Sequence, residues 1–286
     1  MQLQLQKWLE KLDLRQSLKE VPELMTNVPR QRWKKENNKG ISRMRFLKFL
    51  FSLFLFSTSL NAQTEKNVIH QSLLWTRYYN QLELNHRWSI HSEFDNRIFI
   101  NPTVQNLFVI RVQGRYKISE QVELGSGFAY FNVATQDADM DSGFSKPEYR
   151  LQQDVTWKQS LGKINLNQRL QIEERFFQDF DTQGLKRRST LAMRFRYRFQ
   201  GGYTLWKKEK QFLKTLIYDE IMINAGSQIV ENTFDQNRIY AGLQYGINSS
   251  VTIEMGYLNS FQQQKSGTDY YDRNIIRFSI YHKLKI

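Results

Sequence analysis

Arginine and glutamate recur at every second position in several segments of the chain, alternating with large apolar residues. The clearest segment is 191–199, where Arg194, Arg196 and Arg198 share one face, and 165–176 repeats the pattern. Because the side chains of a β-strand alternate between its two faces, such charges gather on one surface of a sheet. With this parity, the following residues are predicted to line a common interior: Glu148, Arg150, Arg169, Glu173, Arg175, Arg194, Arg196, Arg198, Glu220, Arg238 and Glu254.

Such an interior could act in two ways. Unpaired guanidinium groups would form a cationic constriction that selects anionic solutes. Alternatively, the glutamates neutralise the arginines, and the charges form a structural ion network that fills a narrow lumen. Glu173 should lie near Arg194 across a hairpin, close enough for charge-assisted hydrogen bonds. The sequence leaves both interpretations open.

The residues that could support catalysis are few. Hydrolysis of an acyl ester needs a hydroxyl nucleophile activated by a base such as histidine. His91 falls on the interior face near Ser89, Glu93 and Asp95, but nothing marks a nucleophile. The chain has only four histidines, which also argues against a transition-metal site. We therefore expect a protein that is not an enzyme and needs no cofactor.

One acidic segment resembles a calcium-binding loop. Asp137, Asp139 and Asp141 stand at alternate positions, as the oxygen ligands of such a loop do. However, Ser142 occupies the position that needs glycine for the sharp turn, and no flanking helices are indicated. We predict no metal site. Asp137, Asp139 and Asp141 are the weak candidate for calcium.

The elements that must position these charges are long strands. The alternating segments run roughly ten to thirteen residues, longer than the usual five or six of globular strands. One face carries Arg, Glu and Gln, and the other carries Phe, Tyr, Leu and Ile, which is the division required by a polar lumen and surrounding lipid. The pattern predicts an all-β, transmembrane, antiparallel up-and-down β-barrel. A soluble exported β-protein is the alternative.

Turn signals set the predicted number of strands. Short connections alternate with longer polar ones near 134–147, 177–188, 226–235 and 263–270, as periplasmic turns alternate with extracellular loops. Counting gives eleven strands if 67–85 is one strand. Bacterial barrels of this type have even numbers of strands. We therefore predict about twelve strands, with a hairpin within 67–85 that bends near Thr76 to Tyr79, and ten as the alternative.

A secretory signal peptide is predicted over 44–62. Arg45 and Lys48 precede a short apolar run, and small residues end at Ala62, where cleavage is expected. The domain organisation is then a disordered upstream extension over 1–43, preceding the true initiator Met44, a signal peptide over 44–62, and a barrel over 63–286.

Composition narrows the partners. The chain has no cysteine, which excludes disulfides and a lipid-modified cysteine after the signal. The formal net charge is +13, but much of the basic excess precedes residue 63 and no aromatic-interleaved basic motif follows. We expect outer-membrane lipid, the barrel-assembly machinery during insertion and a small anionic solute as partners, and no nucleic acid.

Several motifs occur in an order that is typical of one family. They are Gly127-Phe128-Ala129-Tyr130, EYRLQQ at 148–153, RLQIEERF at 169–176, RFRYR at 194–198, Asp219-Glu220, FDQNRIYAG at 234–242 and Glu254-Met255-Gly256-Tyr257. The chain resembles the outer-membrane family filed as domain of unknown function 2490, over nearly all of 63–286. The resemblance implies a barrel in the outer membrane of a Gram-negative bacterium, and it carries no established activity.

Our leading interpretation is a narrow pore or solute-translocating barrel in the cell outer membrane, with a lumen lined by Arg and Glu. A closed structural or interaction barrel that acts through its extracellular loops is the alternative. A lipid-modifying outer-membrane enzyme is the third.

Overall fold

The computed structural model describes residues 66–139, 145–181, 184–226 and 229–286. Within these ranges, eleven β-strands form a closed barrel in which consecutive strands pair antiparallel. The strands are β1 (Asn67–Glu83), β2 (Trp88–Phe99), β3 (Gln105–Lys117), β4 (Val122–Val133), β5 (Lys146–Leu161), β6 (Ile164–Asp181), β7 (Gly184–Lys208), β8 (Gln211–Ala225), β9 (Phe234–Gly246), β10 (Val251–Gln263) and β11 (Asp269–Lys285). The predicted upstream extension and signal peptide lie outside the described residues. Among the residues described, no helix is long and apolar enough to cross a membrane.

The strand count differs from the predicted twelve and from the alternative of ten. Strand β1 is unbroken, and the predicted hairpin within 67–85 is absent. Thr76, where we placed the bend, pairs with Asn96 of β2 on one side and Phe278 of β11 on the other. Both edges of β1 are therefore satisfied by straight neighbours, so a bend would break hydrogen bonds on two sides. With an odd number of strands in the described chain, the barrel closes through a parallel pair, β1 with β11.

The connections fall into two sets at opposite ends of the barrel. The turn end carries the short turns 84–87, 118–121, 162–163, 209–210 and 247–250. The loop end carries the connections that follow β2, β4, β6, β8 and β10, whose described residues include 100–104, 134–139, 229–233 and 264–268. The predicted long connection over 177–188 is wrong, because the backbone pairing of β6 with β7 continues to Asp181 and Gly184.

Strict alternation divides the inside of the barrel from the outside. In β2, for example, His91, Glu93 and Asp95 are buried, whereas Ile90 and Phe94 are exposed on the outer face. The segment 191–199 behaves in the same way, since Arg194 is buried and Phe195 is exposed. The pleat of the strands thus directs the charges inward and the apolar side chains outward.

The interior is not uniformly polar. Eight inward-facing residues form an inner apolar cluster, namely Leu73, Trp75, Phe99, Leu216, Tyr218, Tyr240, Leu258 and Ile275. The loop after β4 reaches into the barrel beside it, and Ala138 packs against the cluster. The backbone oxygen of Gln136 in this loop accepts hydrogen bonds from Gln71 at 3.1 Å and from Arg273 at 2.9 Å. Part of the lumen is therefore filled by side chains and by this loop.

Candidate functional site

The barrel encloses a polar cavity of about 450 Å³. Thirteen arginines line it, namely Arg77, Arg97, Arg111, Arg115, Arg150, Arg169, Arg175, Arg194, Arg196, Arg198, Arg238, Arg273 and Arg277. Six carboxylates line it with them, and Asp154, Glu173 and Asp235 pair with arginines from buried positions. Over this set of described residues, guanidinium groups exceed carboxylates by four.

The structure places the predicted interior residues around this cavity. Ten of the eleven line it directly, and Glu173 is fully buried among the arginines that do. They divide into two groups and one outlier. Glu254 is the outlier, because it does not contact the arginines of β6 or β7. It accepts hydrogen bonds from Arg277 at 2.6 Å and from the hydroxyl of Tyr240 at 2.8 Å.

The first group is a balanced network of three arginines and three carboxylates: Arg150, Arg175, Arg194, Glu148, Glu173 and Asp235. Glu173 stands opposite Arg194 in the register of β6 with β7, and the two side chains meet at 2.5 Å. Arg194 also reaches Asp235 at 2.8 Å. Glu148 bonds Arg175 at 2.6 Å. Each charge in this network has an opposite charge within hydrogen-bond distance, so the network is locally neutral.

The second group is the Glu220 cluster, in which a single carboxylate faces four guanidinium groups: Glu220 with Arg169, Arg196, Arg198 and Arg238. Glu220 bonds Arg169 at 2.7 Å and Arg196 at 2.8 Å, one with each carboxylate oxygen. Arg238 is 3.9 Å away. Arg196 links the two groups, because its other terminal nitrogen lies 2.5 Å from Glu173.

Arg198 is the least neutralised member of the cluster. The strand register sets Glu220 opposite Arg198, but both oxygens of Glu220 are taken by other arginines. Arg198 forms no ion pair with any residue that the structure describes, and its nearest ring contact is Tyr218, at 5.5 Å. On its other side it faces Arg169 directly across the β6–β7 pair. Two like charges in directly opposed positions repel each other.

A buried donor lies beside this cluster. The indole nitrogen of Trp75 has no hydrogen-bond partner among the described residues, although the side chain is only 5% exposed. The guanidinium of Arg97 stacks on the indole ring at 3.8 Å, and that of Arg238 lies 5.3 Å from the ring centroid. The site therefore presents cations and one neutral N–H donor together.

Of the catalytic candidates, Glu93 pairs with Arg111 at 2.7 Å and Asp95 pairs with Arg97 at 2.6 Å. Nε2 of His91 lies 3.0 Å from Oγ of Ser89, but Nδ1 contacts the hydroxyl of Tyr79 rather than the carboxylate that orients the base of a triad. Asp137 accepts a hydrogen bond from the backbone of Asp139, and Asp141 lies outside the described residues. Within the described ranges, no three His, Cys, Asp or Glu side chains are grouped to hold a metal ion.

Sequence reasoning missed part of the site. The predicted set of eleven interior residues lacks the donor Trp75 and six of the thirteen lining arginines, namely Arg77, Arg97, Arg111, Arg115, Arg273 and Arg277. The signal for the arginines was present, because β1, β2, β3 and β11 alternate as β6 and β7 do. No pattern indicated that Trp75 points inward, because the lumen of a membrane barrel is expected to be polar.

Comparisons with known proteins identify the family without assigning a role. A solved structure described as the NanC porin in a rhombohedral crystal form is similar at 12% identity and a TM-score of 0.40, covering 68% of this chain and 85% of that chain. No curated protein sequence matches the chain. A family model described as protein of unknown function (DUF2490) matches residues 73–271. That match confirms the resemblance found in the ordered motifs and spans more than half of the sequence, so the chain belongs to the DUF2490 family.

Proposed function

We propose that this protein is a narrow pore in the outer membrane whose lumen admits small anions. The observation that carries the proposal is the Glu220 cluster, in which four guanidinium groups share one carboxylate at the wall of a polar cavity. A purely structural network would be expected to neutralise itself, as the balanced network does. The uncompensated charge is instead available to a solute.

The outer face supports the membrane assignment. Leu170, Ile217 and Met255 are each about 60% exposed on the outside of the barrel, among many other large apolar residues. Monomeric soluble proteins rarely expose continuous apolar surfaces of this extent. Lipid would cover this surface, and the closed barrel leaves no unpaired strand edge to face hydrocarbon.

Cell fractionation tests the assignment: the mature protein should begin at Gln63 and separate with outer membranes. An N-terminus at Met1 or Met44 in that fraction would contradict the signal peptide.

The excess charge favours anions over cations. Fixed charges in a confined lumen with low-dielectric walls raise the local concentration of counter-ions, and rings of Arg or Lys are used for selectivity in anion pores. Arg198 contributes most directly, since no described residue forms an ion pair with it. The protein should therefore conduct chloride better than potassium.

Planar-bilayer recording of the purified protein under a salt gradient tests the pore. The reversal potential should have the sign of anion selectivity, and Arg198→Gln should reduce it. Arg87→Gln is the matched control, because Arg87 lies exposed in a turn and its loss removes the same charge. No conductance from the wild type, where a known porin conducts, would eliminate the proposal.

A closed structural barrel is the second candidate. The inner apolar cluster and the inward loop around Gln136 favour it, because both narrow the passage. In that case the protein acts through its outer loops. We propose a non-enzymatic role in either case, with lipid and the barrel-assembly machinery as partners.

A further inference from the structure

We infer that the Glu220 cluster and Trp75 form a discrete binding site for a doubly charged tetrahedral oxyanion, phosphate or sulfate. The inference rests on the proposed function in one respect, that the lumen admits anions. It goes further by giving the anion a fixed site, a charge and a shape.

Two like charges face each other in the Glu220 cluster. Arg169 and Arg198 oppose each other directly on β6 and β7, and Glu220 bonds only the first of them. An anion that contacts both guanidinium groups replaces their repulsion with two attractions. Guanidinium groups suit this purpose because they present paired N–H donors in a planar fork that matches oxyanion geometry.

Several buried N–H donors around the cluster have no hydrogen-bond partner among the described residues. The Nε atoms of Arg169, Arg196 and Arg198 are buried without a hydrogen-bond partner among the described residues, as is the indole nitrogen of Trp75. Leaving a buried donor unpaired is unfavourable, and a bound oxygen atom would relieve it. Trp75 comes from β1, whereas the arginines come from β6, β7 and β9, so the donors approach from different sides of the lumen.

The net charge of the cluster indicates the charge of the ligand. The cluster holds four positive charges against Glu220, and Arg196 shares one further carboxylate, Glu173, with the balanced network. A monovalent anion such as acetate or chloride would leave most of the excess in place. A dianion with four oxygens neutralises more of it and can accept hydrogen bonds from several donors at once.

Isothermal titration of the purified barrel in detergent, at constant ionic strength, tests the site. The probes are inorganic phosphate, sulfate, acetate and chloride. Phosphate and sulfate should bind saturably with one site per chain, and acetate should bind at least about tenfold more weakly. Equal binding of acetate would overturn the assignment to a dianion, and no saturable binding of either dianion would overturn the site.

Three variants locate the site. Arg198→Gln should weaken the binding of phosphate by about tenfold or more, and Trp75→Phe, which keeps a ring but removes the N–H, should weaken it by several-fold. Arg87→Gln should leave binding unchanged. Heat-modifiable gel mobility checks that each variant is folded. Should Arg198→Gln not fold, Trp75→Phe and Arg198→Lys decide in its place, and unchanged binding in the folded variants overturns the site.

Failure of the site and failure of the pore give different results. Saturable binding of phosphate without conductance in planar bilayers would retain the site and eliminate the pore. Chloride conductance without saturable binding of either dianion would retain the pore and eliminate the site.

Discussion

The balanced network and the Glu220 cluster both combine arginines with carboxylates and share strands β6, β7 and β9, yet they differ in how their charges are matched. In the balanced network, Glu173 stands opposite Arg194 across β6 and β7. Four residues along each strand, in the Glu220 cluster, Arg169 stands opposite Arg198. That spacing is roughly 14 Å at about 3.4 Å per residue. One inward-facing pair, Gln171 with Arg196, lies between the locally neutral network and the positively charged cluster, and Arg196 links the two.

The difference indicates which arginines stabilise the barrel and which are available to bind a solute. Arg194 bonds two carboxylates, Glu173 and Asp235. Removing Arg194 would therefore take an ion-pair partner from two buried carboxylates. Arg198 bonds no described carboxylate, so its removal leaves none unpaired. Stability and selectivity should therefore respond to different arginines within one strand.

The largest expected effect comes from Glu173→Gln. Glu173 is fully buried and accepts from Arg150, Arg194 and Arg196, so the change would take one of the two carboxylates that each of these buried guanidinium groups contacts. We expect a loss of about 3–5 kcal/mol in the free energy of unfolding, measured by urea titration in lipid vesicles.

Glu83→Gln is the matched control for Glu173→Gln. Glu83 pairs with Lys283, whose side chain is half exposed, so this pair should contribute about 1 kcal/mol or less. A loss of under about 1 kcal/mol for Glu173→Gln would mean that the balanced network is not what stabilises the barrel.

Phe195→Arg tests whether the two faces of β7 are separated by the membrane. Phe195 lies between Arg194 and Arg196 and is exposed on the outer face. A charge at mid-membrane should cost about 2–4 kcal/mol in the same unfolding assay. Phe195→Leu, which keeps the face apolar, is the control. If the arginine variant were as stable as the leucine variant, this face would not contact lipid.

The smallest expected effect on stability comes from Arg198→Gln. Comparing it with Arg194→Gln on the same strand gives the sharpest contrast between the two groups. Removing Arg198 relieves its repulsion with Arg169, so in chloride buffer stability should rise slightly, by less than about 1 kcal/mol. Arg194→Gln should lose about 1.5–3 kcal/mol, because charge-assisted bonds to Glu173 and Asp235 are lost. Equal losses for the two variants would show that the Glu220 cluster is structural.

The sequence was sufficient for the features that depend on alternation. The shared face of Arg194, Arg196 and Arg198, and the approach of Glu173 to Arg194, follow from the period of two and a hairpin register. The period of two does not predict that Arg198 lacks an ion pair. That feature depends on which two of the surrounding arginines bond the oxygens of Glu220. That choice is made by side-chain conformations, which strand parity leaves undetermined.

Two other features were beyond reach for different reasons. The inner apolar cluster places Leu73, Phe99 and Ile275 inside, against the expectation that a lumen is polar. The inward course of the loop at Gln136 depends on partners from distant strands, Gln71 and Arg273. An unbroken strand over 67–85 was considered when the strands were counted from the sequence. The even number of strands usual in bacterial barrels argued against it.

The parallel seam between β1 and β11 has a consequence for the order of assembly. Asn67 and Asp269 are 202 residues apart and become neighbours only when the seam closes, whereas the hairpins β1–β2 to β10–β11 join residues close in sequence. Loop closure becomes less favourable as the separation grows, so the seam should form last. Strand β1 carries Trp75, and the arginines of the Glu220 cluster belong to β6, β7 and β9. In an open sheet, β1 would be an edge strand that holds the indole away from these guanidinium groups, and the complete set of donors would exist only in the finished barrel.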